Sequence, residues 1–184
     1  MVSKILPTDR TAGGPMRIPI FGSCPTLINR RQFEAQQLIL GQLDHLGLEW
    51  RSLGQTDYPN KYPLHEVYLL AKHCSGGLIL GFSQFETQTG TWKRGTPSQF
   101  KQKTLVAFPT PWNQIEAGIL FALRLPLLVF CEDNVSGGIF DKGITDLFIH
   151  RMPLGKLSTQ NKKALSEIIG KWAHEVREHY DNPK

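Results

Sequence analysis

Glu116 is the only charged residue in the stretch from Ile115 to Leu123, which is apolar almost throughout. Trp112 stands four residues before it, so in a helix the two side chains share a face. A carboxylate in that setting is either aimed into a cleft or buried, and burial is costly unless the charge is paired. One carboxylate beside one aromatic suits the cleavage of an N-glycosidic bond, which passes through an oxocarbenium-like state at the anomeric carbon. The carboxylate stabilises that cation or traps it covalently. The indole stacks on a base or walls off water. Structural readings stand beside these: Glu116 as a helix-face acid bonded to a loop amide, and Trp112 as a packing residue.

Other chemistries find less support. No G-x-G-x-x-G follows the first apolar run and no phosphate loop is present, which disfavours dinucleotide redox chemistry and nucleotide triphosphate hydrolysis. There is no G-x-S-x-G elbow for a serine hydrolase. Cys24 follows an apolar run but no Cys-x5-Arg pattern begins there, so a phosphatase-type thiolate is disfavoured. His73 lies where a helix should end and reads as a C-cap. No CxxC or His-x-x-x-His spacing supports a metal site, and no cofactor is expected.

The elements that must position Glu116 are legible around it. Thr110 is a good N-cap, Pro111 suits the first helical position, and the helix should run to about Arg124. Pro126 then opens a buried strand, Leu127 to Cys131. Before this segment, Arg17 to Ser23 reads as the first strand and Asn29 to Leu46 as a helix, with Phe33, Gln37, Leu38, Leu40 and Leu43 forming its amphipathic pattern. Leu48 to Leu53 is a second strand, Pro63 to His73 a helix with Val67, Leu70 and Ala71 inward, and Gly76 to Phe82 a third strand. The residues from Ser83 to Thr104 are polar and glycine-bearing, and read either as a lid carrying cations or as a solvated loop. Val135 to Lys142 is a connecting helix or turn, and Thr145 to His150 a fifth strand. A closing helix from Ser158 to Tyr180 turns Leu165, Ile168, Ile169, Trp172 and Val176 to one side.

Alternating strands and helices with continuous apolar strands predict an α/β fold with three layers: an open, mostly parallel, five-stranded sheet of flavodoxin-like topology. Ligands in such sheets sit beyond the carboxyl ends of the strands. Here that edge gathers Ser23, Cys24, Pro25, Asp57, Ser83 and the start of the central helix with Trp112 and Asn113, all candidate substrate-binding residues around Glu116.

The central segment also resembles the superfamily of nucleoside 2-deoxyribosyltransferases and TIR domains. The run IEAGILFALRLPLLVF is similar to a deoxyribosyltransferase helix of pattern "xxEIGYAxAxGKPVxxF", and Phe21-Gly22-Ser23-Cys24-Pro25 is similar to the "YLAGP" loop that opens those domains. Trp112 and Glu116 match the last two members of the Ser-x-Trp-x-x-x-Glu pattern of TIR enzymes, whose serine falls at Thr110. The aspartate that many deoxyribosyltransferases carry shortly before the glutamate has no counterpart near Thr110. The resemblance covers Arg17 to Cys131. It implies that Glu116 is the catalytic glutamate, that the substrate is a nucleoside or nucleotide with NAD a candidate, and that the chain forms a homo-oligomer. It also implies a rival reading, a non-catalytic nucleotide-sensing or assembly module.

Composition sets the outer bounds. The chain has 184 residues, 40% of them hydrophobic, enough for one cored domain over residues 16–184 behind a loose arm at residues 1–15. Its net charge of +5 suits an anionic ligand, but the surplus is too spread out to argue for nucleic acid. The three cysteines, Cys24, Cys74 and Cys131, read as reduced residues of a cytoplasmic protein. No signal peptide or membrane span is apparent. A plain protein-interaction domain using the closing helix is the remaining option.

Overall fold

The computed structural model describes residues 17–58, 62–141, 143 and 148–183. The expected N-terminal arm therefore lies outside the described residues, as do Lys142 and Thr145. In chain order the elements begin β1 (Ile18–Ser23), α1 (Arg30–His45), β2 (Leu48–Arg51), α2 (Pro63–Lys72) and β3 (Gly77–Gly81). Four short strands follow: β4 (Phe85–Thr87), β5 (Gly90–Trp92), β6 (Phe100–Gln102) and β7 (Val106–Phe108). The chain closes with α3 (Pro111–Ala122), β8 (Leu127–Cys131), β9 (Ile149–Arg151) and α4 (Thr159–Asp181).

Five strands form one parallel sheet in the order β2-β1-β3-β8-β9. This is the predicted flavodoxin-like fold. Strand residues alternate between two cores because side chains in a strand point to opposite faces. Ile20, Leu78, Leu80, Leu128 and Phe130 pack under α1 and α4. Phe21, Ile79, Leu127 and Val129 pack under α2 and α3. Apolar residues are thus needed on both faces of each central strand, which is why those strands read as unbroken hydrophobic runs. No helix among the described residues is long and apolar enough to cross a membrane.

The inward face of α1 differs from the sequence expectation. Phe33 is exposed, and the buried stripe is Gln32, Ala35, Gln36, Ile39 and Leu43. Two glutamines can occupy that stripe because both are hydrogen-bonded: Gln32 completes the helix's own capping box with Asn29, and Gln36 reaches the Cys24 sulfur. The expected connecting element at Val135 to Lys142 is a single turn of 3-10 helix, Gly138–Phe140. The fifth strand begins at Ile149, later than expected.

The segment after β3 is neither a plain loop nor part of the main sheet. β4 pairs with β7 and β5 with β6, both antiparallel, so residues 85 to 108 form one nested β-arm. Ala107 anchors its root through backbone bonds to Asn134 and Ser136. Across the arm, Trp92 stacks on Phe100 at 5.9 Å and Phe85 on Phe108 at 6.4 Å, while Trp92 meets Phe108 at 5.7 Å. A two-stranded ribbon is marginal in water alone, and this aromatic row supplies what such short strands lack.

Candidate functional site

Two connections leave neighbouring strands in opposite directions beyond the ends of β1 and β3. The chain leaves β1 through α1 toward β2, and leaves β3 through the arm and α3 toward β8. A crevice opens where strand order reverses in this way, and it is the usual ligand position in open parallel sheets. Here the crevice is a cleft of about 440 Å³. Its walls are the Cys24-Pro25-Thr26-Leu27 loop, Leu53 and Gly54 after β2, the start of α2 at Pro63 and Val67, the arm root at Gln84, and Thr110, Trp112 and Glu116 from α3.

The first turn of α3 is built to hold Glu116 in place. Thr110 caps it, accepting a bond from the Asn113 backbone N–H at 3.2 Å, and Pro111 starts the helix. The buried side of α3 is Asn113, Ala117 and Leu120, so Glu116 stands at the edge of the buried stripe and faces the cleft. The helix ends without glycine: Arg124 takes φ of 55°, and the Arg124 and Leu125 N–H groups close back on Phe121 and Leu120. That left-handed stop turns the chain directly into β8.

A buried polar chain runs beneath the cleft. The Thr110 hydroxyl donates to Asn113 Oδ1 at 2.8 Å, and Asn113 Nδ2 donates to Ser23 Oγ at 2.8 Å. Ser23 also neighbours Glu116, and its hydroxyl favours the ionised carboxylate. Ser23 and Asn113 are both buried. Burial pushes the Glu116 carboxyl up to about 7, and the Ser23 hydroxyl opposes that rise. A carboxyl tuned near neutrality can be charged or neutral at small cost, a requirement for acid, base or nucleophile work.

Four of the predicted site residues, Cys24, Pro25, Trp112 and Glu116, line the cleft. Ser23 and Asn113 lie beneath it as the support of Glu116. Trp112 remains 43% exposed at the mouth, with a free surface for a planar ligand. Asp57 and Ser83 fall outside the lining. Asp57 makes a two-pronged ion pair with Arg51 and accepts the Thr56 hydroxyl at 2.8 Å. Ser83 donates its hydroxyl to Glu86 at 2.9 Å. The setting disfavours a Cys24 thiolate: burial pushes the thiol up to about 12, Gln55 opposes that rise, and nearby Glu116 adds to it.

Some participants carried little signal in the sequence. Gln84 forms part of a wall because the arm root is folded back there by the bond from Gln84 N–H to the Phe108 carbonyl. Gln32 reaches from α1 to Glu132 at 2.6 Å and to the Ser83 carbonyl at 3.2 Å, tying the end of β8 to the arm root. Burial raises the Glu132 carboxyl above its ordinary range. Asn29-x-x-Gln32 has the spacing of a capping box, which the structure shows formed, whereas the reach of Gln32 to Glu132 and Ser83 has no sequence signature. No group of three or more His, Cys, Asp or Glu among the described residues is arranged to hold a metal.

No family model matches this chain, and no curated protein matches it. Among solved structures it is similar to the metal-soaked Flv1 flavodiiron core from Synechocystis, with a TM-score of 0.51 and 12% identity. The match covers 89% of this chain and 36% of the other, so the chain spans about a third of that neighbour's length. That likeness bears on the fold alone.

Proposed function

We propose that this protein cleaves an N-glycosidic bond, or transfers a (deoxy)ribosyl group, on a nucleoside or nucleotide, with Glu116 as the working carboxylate. NAD is one candidate substrate. The observation that carries this reading is a lone carboxylate, raised toward neutrality by burial, facing a ligand-sized cleft at the strand-order reversal. Positive charge developing at the anomeric carbon favours the ionised carboxylate. The cost of holding Glu116 in a dry setting is thereby offset in the transition state rather than in the ground state. In the covalent variant, a Glu116 oxygen bonds the anomeric carbon as the C–N bond breaks and its electron pair leaves with the base; a nucleobase then takes a proton from solvent, whereas nicotinamide leaves neutral. Water or a second base then releases the sugar. Trp112 stands where it can stack on the base. The cleft's described lining carries no cation, so a phosphate of a nucleotide would sit toward solvent.

The test is incubation with NAD and with a panel of nucleosides and nucleotides, followed by chromatography for free base or nicotinamide. Release that disappears in Glu116→Gln is the expected result. No release with any substrate, at high protein concentration as well as low, would overturn the catalytic reading.

A second reading, a nucleotide-sensing assembly module, has one observation in its favour. Tyr68 of α2 and Ile115 and Phe121 of α3 are exposed on the layer that borders the cleft. Nucleotide-dependent association with no turnover is its signature.

A further inference from the structure

We propose that the β-arm is a docking surface for single-stranded nucleic acid. It is independent of the chemistry assigned to Glu116 and rests on what the arm presents to solvent.

Aromatic rings form the first component. Phe85, Phe108, Trp92 and Phe100 make a continuous row, with interplanar angles of 28° between Phe85 and Phe108 and 16° between Trp92 and Phe100. The inner pair packs within the row, and the Trp92 indole N–H is already bonded to Gln102 at 2.8 Å. The two ends stay open, Phe85 at 61% and Phe100 at 51% exposure. The two stacked pairs meet at 53° between Trp92 and Phe108, and each leaves one exposed ring at its outer end on which a planar base can stack, whatever its identity.

Charge is the second component. The arm carries Lys93, Arg94, Lys101 and Lys103 against a single acid, Glu86. All four cations are exposed, and none is ion-paired with a described residue. These four cations, close together in the sequence, are set by the fold on one antiparallel arm. Lys101 stands opposite Thr91, the position next to the Trp92–Phe100 pair, so it falls on the face behind the rings. Lys93 and Arg94 sit at the tip, held by bonds from Thr96 to the Lys93 carbonyl and from Gly95 N–H to Gln99. Lys93 and Arg94 at the tip match phosphates that flank splayed bases, and Lys101 adds attraction from the reverse face.

This arrangement favours a single strand over two other anionic partners. A duplex keeps its bases stacked inside and offers the rings nothing to stack on. A membrane contact calls for large apolar side chains at the tip, and Lys93 to Gln99 carry none.

The experiment is fluorescence anisotropy on the full chain with labelled DNA and RNA single strands of about 15 nucleotides and a matching duplex. Single strands should bind roughly tenfold or more tighter than duplex. Phe85→Ala with Phe100→Ala should weaken single-strand binding roughly tenfold or more while leaving the salt dependence in place. Lys101→Ala with Lys103→Ala should flatten the log–log salt slope by about one unit. Hydrogen-exchange protection of the β4–β7 and β5–β6 backbone amides reports whether the arm survives each change. If the phenylalanine variant loses its arm, the lysine variant and the duplex comparison decide the matter. Equal affinity for duplex, or aromatic truncation without effect on an intact arm, overturns the proposal. So does binding only to phosphatidylserine vesicles or to polyglutamate. Since Glu116 is untouched, base release in the earlier assay stands or falls separately.

Discussion

Asn113 Nδ2 donates to Ser23 Oγ at 2.8 Å across ninety residues of sequence, and this bond decides which way the Ser23 proton points. A hydroxyl has one proton to give. With its oxygen engaged by Asn113, Ser23 is set to give that proton to Glu116. Thr110 fixes the amide of Asn113 the same way round. The helix cap and the end of the first strand are therefore one hydrogen-bonded unit, set beside the candidate catalytic carboxyl.

Ser23→Ala should remove the donor to Glu116 and orphan the buried Asn113 amide. The expected stability loss is about 1–3 kcal/mol by denaturant unfolding. The Ser23 hydroxyl lowers the Glu116 pKa, so its loss should move the alkaline-side rise of any Glu116-dependent activity to higher pH. An unmoved pH profile would show that Ser23 has no say in the charge of Glu116.

Glu116→Gln should stabilise the fold at alkaline pH. In the unfolded chain the carboxyl ionises near its ordinary value of 4.5, whereas in the folded chain it holds its proton up to about 7. Folded stability therefore falls as pH rises between those values, and is level above them. The glutamine variant escapes this cost, which is roughly 3 kcal/mol when fully expressed. Unfolding curves should coincide near pH 4 and separate by pH 8. A variant less stable than wild type at pH 8 would instead mark Glu116 as a structural acid.

Cys24 should resist alkylation. With its thiol pushed up to about 12, almost no thiolate exists near neutrality, and Gln36 lies against the sulfur at 3.4 Å. Iodoacetamide at pH 7.5 followed by mass spectrometry should leave Cys24 largely unmodified, and Cys24→Ser should retain activity. Rapid labelling would reopen the thiol reading.

Trp112→Ala should weaken substrate binding more than it weakens the fold. A half-exposed indole at a cleft mouth contributes little to the core, so unfolding should shift by less than about 1 kcal/mol. KM should rise with kcat less affected, the signature of lost stacking rather than lost chemistry. A large loss of stability would make Trp112 a packing residue.

The parallel sheet was legible because its central strands are covered on both faces, which forces unbroken apolar runs such as Leu78 to Leu80 and Leu127 to Phe130. Glu116 was legible for the opposite reason, as one charge where physics asks for none. The arm was hidden because its strands are three residues long and are stabilised by rings facing each other across the ribbon. Spacing along the chain cannot report a partner such as the one Asn113 finds in Ser23, or the Arg51 guanidinium that engages Asp57. The inward face of α1 was misjudged because Gln32 and Gln36 look like surface residues until their partners are seen.

The chain departs into the arm at Gln84 and returns at Phe108, and those two residues are hydrogen-bonded to each other at 2.9 Å. Entry and exit therefore share one doorstep. A segment attached in this way is a graft: it can be shortened, lengthened or exchanged for a tight turn without altering the order of the main strands. The arm beyond its root and the Glu116 cleft can then vary separately on one framework.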